Sequence, residues 1–181
     1  MRRVVITGMG TVSPLGLDTP STWSAALAGE SGIDFIQSFD ASEFPVRVAA
    51  EVKGFEPPDV VSPKEARRLD RNVLLAVEAG RQALDDAGLD SHYQPRRVGI
   101  AFGSAIGGFL GIMEQHEVLQ ERGPTRVSPY FLPSVLVDSA SGQLAISLGL
   151  KGPNYAPVSA CATGSHAVGE GAEIIRRGDA D

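Results

Sequence analysis

Cysteine and histidine are scarce in this chain of 181 residues, and their scarcity excludes several kinds of site. Cys161 is the only cysteine, so the chain can form neither an internal disulfide nor a zinc site built from several cysteines. Three histidines, His92, His116 and His166, leave few ways to build a metal site, and we expect none. Without disulfides, a reducing cytoplasmic compartment is the expected location.

Long apolar runs and an excess of positive charge are also missing. After Arg2 and Arg3 the first apolar run spans only residues 4–6, well short of the roughly 7–15 residues of a secretory signal. No stretch approaches the roughly 18 apolar residues of a membrane span, so we expect no membrane association. The chain has 22 acidic and 16 basic residues and a net charge of −6. Nucleic-acid binding is therefore not expected, because it usually needs a basic footprint.

Glycine and proline, in contrast, are abundant, with 21 and 12 residues respectively. The glycines follow no collagen period, and many stand beside apolar residues. They therefore predict tight turns and close helix–strand packing rather than a flexible linker. With 43% hydrophobic and 21% charged residues, the composition indicates a globular protein rather than a disordered one.

Strand and helix signals alternate along the chain and predict an α/β fold with a mainly parallel sheet flanked by helices. Short β-branched or apolar runs predict buried strands at 3–7 and 97–102, with shorter strands near 46–52 and 155–159. Apolar periodicity and capping residues predict helices at 19–29, 62–88, 112–122, 138–148 and 162–177.

The segment VSACATG at 158–164 is the most informative part of the sequence. It places the Cys161 thiol on a predicted strand-to-helix turn among small residues, as in a nucleophile elbow. The unpaired N–H groups and positive potential at a helix N-terminus favour a thiolate and stabilise an oxyanion. Two interpretations stay open: an activated nucleophile, or a buried structural cysteine, which is the commoner role of a lone cysteine.

A nucleophilic cysteine usually needs an acid–base partner, and none of the histidines fits that role. His166 lies about 140° around the predicted helix from Cys161 and about 7.5 Å along it, so we expect a packing role for it. His92 is predicted in an exposed polar loop. His116 is predicted on a helix, without other ligand residues nearby. The chain therefore offers a nucleophile without a base.

Two glycine-rich segments have part of the pattern of nucleotide-binding loops. Gly8 and Gly10 follow a predicted strand, but Ser13 stands where a dinucleotide fingerprint has its third glycine. The segment GSAIGG at 103–108 lacks the Lys-Ser/Thr ending of a phosphate loop. We therefore expect no nicotinamide or nucleotide cofactor, and close backbone packing or an apolar pocket instead.

Four basic residues, Lys64, Arg67, Arg68 and Arg71, are spaced so that one continuous helix would carry them on one face. One interpretation is an ordinary solvated face, paired in part with Glu65 and Asp70. The other is a docking face for an acidic partner, which local positive charge would attract despite the negative net charge.

Taken together, the motifs resemble the N-terminal half of a β-ketoacyl-acyl carrier protein synthase, closest to the type II condensing enzymes of fatty-acid synthesis. The matching segments appear in the family's order over essentially the whole chain. They are VVITGMGTVSPLG at 4–16, GSAIGG at 103–108, Gly-Pro at 123–124, SPYFLPS at 128–134 and ACATG at 160–164.

The resemblance implies a thiolase-like fold and an acyltransferase in which Cys161 accepts an acyl group before condensation with malonyl-acyl carrier protein. It implies a Cys161 amide in the oxyanion hole, and an acyl pocket formed by Ile106, Phe131 and Ala160. Phe131 would reach the pocket of the neighbouring subunit in a homodimer. It also implies docking of acyl carrier protein on Lys64, Arg67 and Arg68, which favours the docking interpretation. Phosphopantetheine on the carrier holds the substrates, and no other cofactor is implied.

The family's two catalytic histidines, structural lysine and gating phenylalanine lie in a second half that residues 1–181 do not contain. The resemblance thus implies a single N-terminal half-domain over 1–181, cut after the helix that follows Cys161 and inactive in condensation on its own. Two alternatives remain: a polyketide ketosynthase subunit, or a truncated inactive product that only binds a partner.

Overall fold

The computed structural model of the chain describes residues 2–89 and 93–181. His92, predicted to lie in an exposed loop, is outside the described residues. The helices are α1 Thr19–Leu27, α2 Pro63–Ala66, α3 Arg71–Asp86, α4 Phe109–Arg122, α5 Phe131–Val135, α6 Ser139–Leu148 and α7 Thr163–Arg177. The strands are β1 Ile33–Phe35, β2 Val48–Ala50, β3 Ile100–Ala101 and β4 Asn154–Tyr155. Single 3₁₀ turns occupy Pro95–Arg97, Pro124–Arg126 and Ala160–Ala162.

The chain divides into two compact units. The first comprises Met1–Ile6, Pro57–Val77 and Leu89–Asp181, and the second comprises Thr7–Glu56 and Glu78–Gly88. The boundary between them falls within α3. Cys161 and the basic residues near α2 belong to the first unit, so that unit contains the candidate site.

Among the described residues of the first unit, parallel pairing is confined to β3 and β4, where Ile100 faces Asn154 and Ala101 faces Tyr155. Backbone bonds extend the contact, since the Phe102 amide donates to the Tyr155 carbonyl at 3.0 Å and the Gly152 amide to Val98 at 3.0 Å. The strand predicted at 97–102 is confirmed in its central part. The sheet is much smaller than the mainly parallel sheet that we expected from the sequence.

The strand predicted at residues 3–7 does not form. Within the described residues no strand pairs with this segment, and Ile6 is 80% exposed. A strand depends on hydrogen bonds to a neighbouring strand, which β-branched residues favour but do not supply. The sequence signal was therefore correct about composition and wrong about pairing.

The second unit contains the antiparallel pair β1–β2, in which Asp34 faces Ala49. The second strand confirms the prediction near 46–52. Helix α1 is capped by Asp18, whose carboxylate accepts a hydrogen bond from the Ser21 amide at 2.7 Å. Gly10 lies so close to α3 that a Cβ built on it would be 1.9 Å from the Ala79 carbonyl oxygen. This confirms that the early glycines serve close backbone packing.

The single helix predicted over 62–88 is wrong, because the chain forms two helices there. Ser62 and Glu65 make the predicted capping box, but α2 ends after Ala66. Asp70 then starts α3, since its carboxylate accepts from the Asn72 amide at 3.0 Å and its carbonyl from the Val73 amide at 3.0 Å. A second capping residue begins a new helix, which apolar periodicity alone does not reveal.

The other predicted helices are confirmed with small shifts at their ends. Helices α4 and α7 end at Gly123 and Gly178, where φ is 80° and 85°. The core of the first unit includes the buried side chains of Val73, Leu144 and Ile174. None of the helices in the described parts of the chain is long and apolar enough to cross a membrane.

Candidate active site

Cys161 lies in the middle of the 3₁₀ turn Ala160–Ala162, between the end of β4 and the start of α7. Its free thiol is exposed, which contradicts the interpretation as a buried structural cysteine. The preceding residue, Ala160, has a φ of 50°, and no other non-glycine residue in the described ranges has a positive φ. This conformation costs an L-residue about 1–2 kcal/mol, so surrounding contacts must hold the turn in place.

Ser159 supplies those contacts through three of its atoms. Its amide donates to the Thr163 hydroxyl oxygen at 2.9 Å, and its carbonyl accepts from the Ala162 amide at 3.1 Å. Its hydroxyl pairs with His166 Nδ1 at 2.6 Å. The Thr163 side chain is buried, which fixes one end of this network. The three bonds join the residue before the turn to three positions after Cys161.

His166 therefore pairs with Ser159. The sequence predicted a packing role for it, but the side chain is exposed and is held by the Ser159 hydroxyl. The spacing of seven residues between Ser159 and His166 does not predict this hydrogen bond. The two side chains meet only because the chain turns at Ala160.

The thiol lies next to the N-terminal end of α7, where the Ala162 amide already donates to the Ser159 carbonyl and the Thr163 amide to the Ala160 carbonyl. Ala162 is the N-cap residue, and no side chain accepts a hydrogen bond there. The first amides of a helix have no partner within the helix, and they carry partial positive charge. An exposed sulfur at this position can attack an electrophilic carbonyl carbon while nearby amides stabilise the oxygen.

The loop 103–108 packs against this turn. A Cβ built on Gly103 would lie 2.0 Å from the Pro157 carbonyl oxygen and 2.7 Å from the Thr163 methyl carbon, so only glycine allows this approach. At the other end of the loop the Gly107 amide donates to Ser104 Oγ at 2.9 Å. The loop also carries Ile106, whose side chain is exposed.

Of the three predicted acyl-pocket residues, Ala160 is next to Cys161 and Ile106 is on the adjoining loop. Phe131 begins α5 and lines a cavity of about 230 Å³, whose lining includes neither Ile106 nor Ala160. The structure thus brings Phe131 to the basic region. A pocket shared by all three residues remains a prediction.

The basic residues do not form the continuous helical stripe that we predicted, because the chain turns between α2 and α3. Arg67, Arg68 and Arg71 still converge, and all three line the same cavity as Phe131, together with Glu114. Lys64 stands exposed on α2, and its side chain does not line that cavity.

Two of these arginines are held by defined contacts. Arg67 Nε donates to the Pro63 carbonyl at 3.1 Å. The Arg68 guanidinium carbon lies 4.0 Å from the centroid of the Tyr130 ring, a cation–π distance. The Ser62 hydroxyl, together with the Ser62 amide, lowers the pKa of the Glu65 carboxyl and keeps it charged beside these cations.

The sequence predicted Asp70 as an acidic partner of the basic face and missed its bonds to two helices. One carboxylate oxygen caps α3, and the other accepts from the Gly111 amide in the first turn of α4 at 2.9 Å. The N-cap residue of α4 is Gly108, which has no side chain of its own to cap the helix. Asp70 therefore joins the segment carrying the arginines to the end of the loop that packs on the cysteine turn.

In residues 2–89 and 93–181, no group of three or more His, Cys, Asp or Glu side chains is arranged to hold a metal ion.

Residues 1–181 match the family described as beta-ketoacyl synthase, N-terminal domain. The chain belongs to the beta-ketoacyl synthase family. This beta-ketoacyl synthase chain is 48% identical to 3-oxoacyl-(acyl-carrier-protein) synthase 2 of Staphylococcus aureus strain COL over 181 residues, covering 99% of the chain and 44% of that relative. The chain thus spans less than half the length of the curated relatives that it matches.

Solved structures of synthases have the same fold over this region. A beta-ketoacyl synthase from Burkholderia phymatum STM815 superposes with a TM-score of 0.85 at 31% identity, over 99% of this chain and 45% of that one. The ishigamide ketosynthase/chain length factor superposes with a TM-score of 0.90 at 31% identity and the same coverage. The ketosynthase architecture that the sequence motifs implied is confirmed.

Proposed function

We propose that this chain is part of a 3-oxoacyl-(acyl-carrier-protein) synthase and that Cys161 is its nucleophile. The observation that supports this proposal most directly is the exposed thiol on a strained turn at the N-terminal end of α7. The close relative named as such a synthase, at 48% identity, supports the reaction class.

In the first half-reaction the Cys161 thiolate attacks the thioester carbonyl of an acyl-carrier. A new carbon–sulfur bond forms, and the carrier's phosphopantetheine thiolate leaves and takes up a proton. In the second half-reaction a malonyl-carrier loses CO₂, and its C2 carbon attacks the acyl-cysteine carbonyl. A carbon–carbon bond forms, the bond to sulfur breaks, and the Cys161 thiolate is regenerated.

Backbone amides at the turn would stabilise the oxyanion in both steps. We assign one donor to the Cys161 amide, because the first amides of a helical segment lack partners within it. The base that assists decarboxylation is expected among the catalytic histidines of the family's second half. His166, whose Nδ1 pairs with Ser159, is not proposed for that role.

The acyl chain is proposed to contact Ala160 beside the thiol, Ile106 on the adjoining loop, and Phe131. Exposed apolar side chains such as Ile106 fit an alkyl chain because burying them removes apolar area from water. The placement of Phe131 at the first residue of α5 is compatible with a contribution across a homodimer interface, which we also propose.

Lys64, Arg67 and Arg68 are proposed to bind the acidic acyl carrier protein. All three cations lie on the segment around α2, and Arg68 is held by Tyr130. Complementary charge would speed the encounter and fix the carrier's orientation. The substrates are held on the carrier's phosphopantetheine, and we propose no further cofactor. A thiol nucleophile must stay reduced, which supports a cytoplasmic location.

A polyketide ketosynthase subunit is the second candidate. The likeness to the ishigamide ketosynthase/chain length factor, at a TM-score of 0.90, favours keeping it. The two candidates differ in product: a fatty-acid synthase releases a chain extended by one unit, whereas a polyketide synthase extends an unreduced chain repeatedly.

The thiol is tested by incubating the full chain with iodoacetamide or a cerulenin-type electrophile and locating the adduct by mass spectrometry. We expect modification of Cys161 faster than that of a cysteine peptide, with no adduct in Cys161→Ala. Product analysis with acyl- and malonyl-carriers then separates the two candidates. Labelling no faster than the peptide would contradict an activated nucleophile and favour a chain that only binds a partner.

A further inference from the structure

Ser159 and His166 form a hydroxyl–imidazole pair beside the thiol that the proposed chemistry does not use. The pair is short, at 2.6 Å between Ser159 Oγ and His166 Nδ1. His166 is exposed, so apolar packing does not account for the position of its ring. The hydrogen bond is therefore the contact that places the imidazole.

The Ser159–His166 bond extends further along α7 than the other hydrogen bonds of Ser159. The amide and carbonyl of Ser159 bond to Thr163 and Ala162, at the very start of α7. The hydroxyl bonds a side chain one helical turn further along α7, a helix of 15 residues. It thereby anchors the segment before Cys161 to the ordered part of the helix.

The turn needs such an anchor because Ala160 has a φ of 50°. An alanine relaxes from this conformation unless its neighbours prevent it. If the segment before Ala160 moves, the thiol loses its fixed position beside the positive N-terminal end of α7. His166 can therefore influence the reactivity of the Cys161 sulfur through the position of the turn, without acting as its base.

We propose that His166 is a positioning residue, which holds Ser159 and through it the strained turn that presents Cys161. This inference rests on the proposed function of Cys161 as a nucleophile. It gives His166 no proton-transfer step, and it gives Ser159 no covalent role.

The test compares alkylation of Cys161 by iodoacetamide in the full chain carrying Ser159→Ala, His166→Leu or both. Each single variant should react about five-fold more slowly, the equilibrium factor of one neutral hydrogen bond. The double variant should be no slower than either single variant, because all three lose the same bond. Thermal unfolding of each variant reports whether the chain is still folded.

Conservative variants separate positioning from general stability. His166→Asn places a polar atom near the position of Nδ1, and Ser159→Thr keeps the hydroxyl, so both should react within two-fold of the unchanged chain. His116→Leu, on the exposed surface of α4, is the matched control and should leave the rate unchanged.

Equal rates in His166→Leu and the unchanged chain would overturn the inference. So would a double variant slowed by the product of the single effects, or a His166→Asn variant as slow as His166→Leu. An unchanged chain that reacts no faster than a cysteine peptide would instead contradict the proposed nucleophile. The ratio of alkylation rates between His166→Leu and the unchanged chain tests the positioning role whether or not Cys161 reacts faster than the peptide.

Discussion

Replacing Asp70 by alanine removes one carboxylate that caps two helices at once. Its Oδ1 accepts from the Asn72 amide at 3.0 Å, and its Oδ2 from the Gly111 amide at 2.9 Å. Gly108 packs on the same side chain, since a Cβ built there would lie 2.9 Å from Asp70 Cβ. The substitution therefore uncaps α3 and α4 and loosens the loop beside the cysteine turn.

The expected loss follows from these two bonds. Removing an N-cap side chain costs up to about 2 kcal/mol, and water offsets part of the loss at the half-buried Asp70, so each bond is taken as about 1–2 kcal/mol. Two caps give about 2–4 kcal/mol. For a chain of this length each kcal/mol lowers the unfolding midpoint by about 2–4 °C, so we expect a fall of about 4–16 °C.

Differential scanning calorimetry of the full chain measures the shift. Asp70→Asn keeps a single carbonyl acceptor and should lose about half as much. Asp59→Ala, an exposed aspartate in a turn before α2, is the matched control and should change stability by less than about 0.5 kcal/mol. If Asp70→Ala is as stable as Asp59→Ala, the double-capping role is refuted.

Three further perturbations are predicted. Gly10→Ala should destabilise the chain by about 3 kcal/mol in chemical denaturation, because its Cβ would overlap the α3 backbone. Arg97 lowers the pKa of Asp181 to about 2, so the ion pair should stabilise fully above pH 4 and lose its effect as the pH falls toward 2. The difference in stability between Asp181→Asn and the unchanged chain should be full above pH 4 and shrink as the pH falls toward 2, and a constant difference down to pH 2 would contradict this. Replacing both Arg67 and Arg68 with glutamate should weaken the binding of acyl carrier protein, as measured by titration calorimetry. The loss of affinity should be larger at low salt than at high salt. Unchanged affinity would remove the docking role.

Helix positions were predictable because their signals are local. The end of α7 at Gly178, with φ 85°, and the end of α4 at Gly123 could be read from glycine after an apolar period. The Cys161 turn was predictable for the same reason, since small residues and a following helix are adjacent in sequence. The resemblance to the beta-ketoacyl synthases depended on short motifs in order, which the family match confirms.

Strand pairing and side-chain partners were not predictable in the same way. Residues 3–7 have strand composition, yet none of the described strands pairs with them. The break before α3 depends on Asp70, whose second oxygen bonds the amide of Gly111 on another helix. The periodicity of 62–88 contains no information about that distant donor.

The sequence by itself determined the family, most helix limits and the position of the single thiol at a strand-to-helix turn. These features follow from capping residues, glycine positions and motif order, which act over a few neighbouring residues. Tertiary structure decided the convergence of Arg67, Arg68 and Arg71 around one cavity and the pairing of Ser159 with His166. Those contacts depend on backbone turns at Ala66–Asp70 and at Ala160, which bring side chains from separate segments together. The spacing of residues along an ideal helix does not predict such turns.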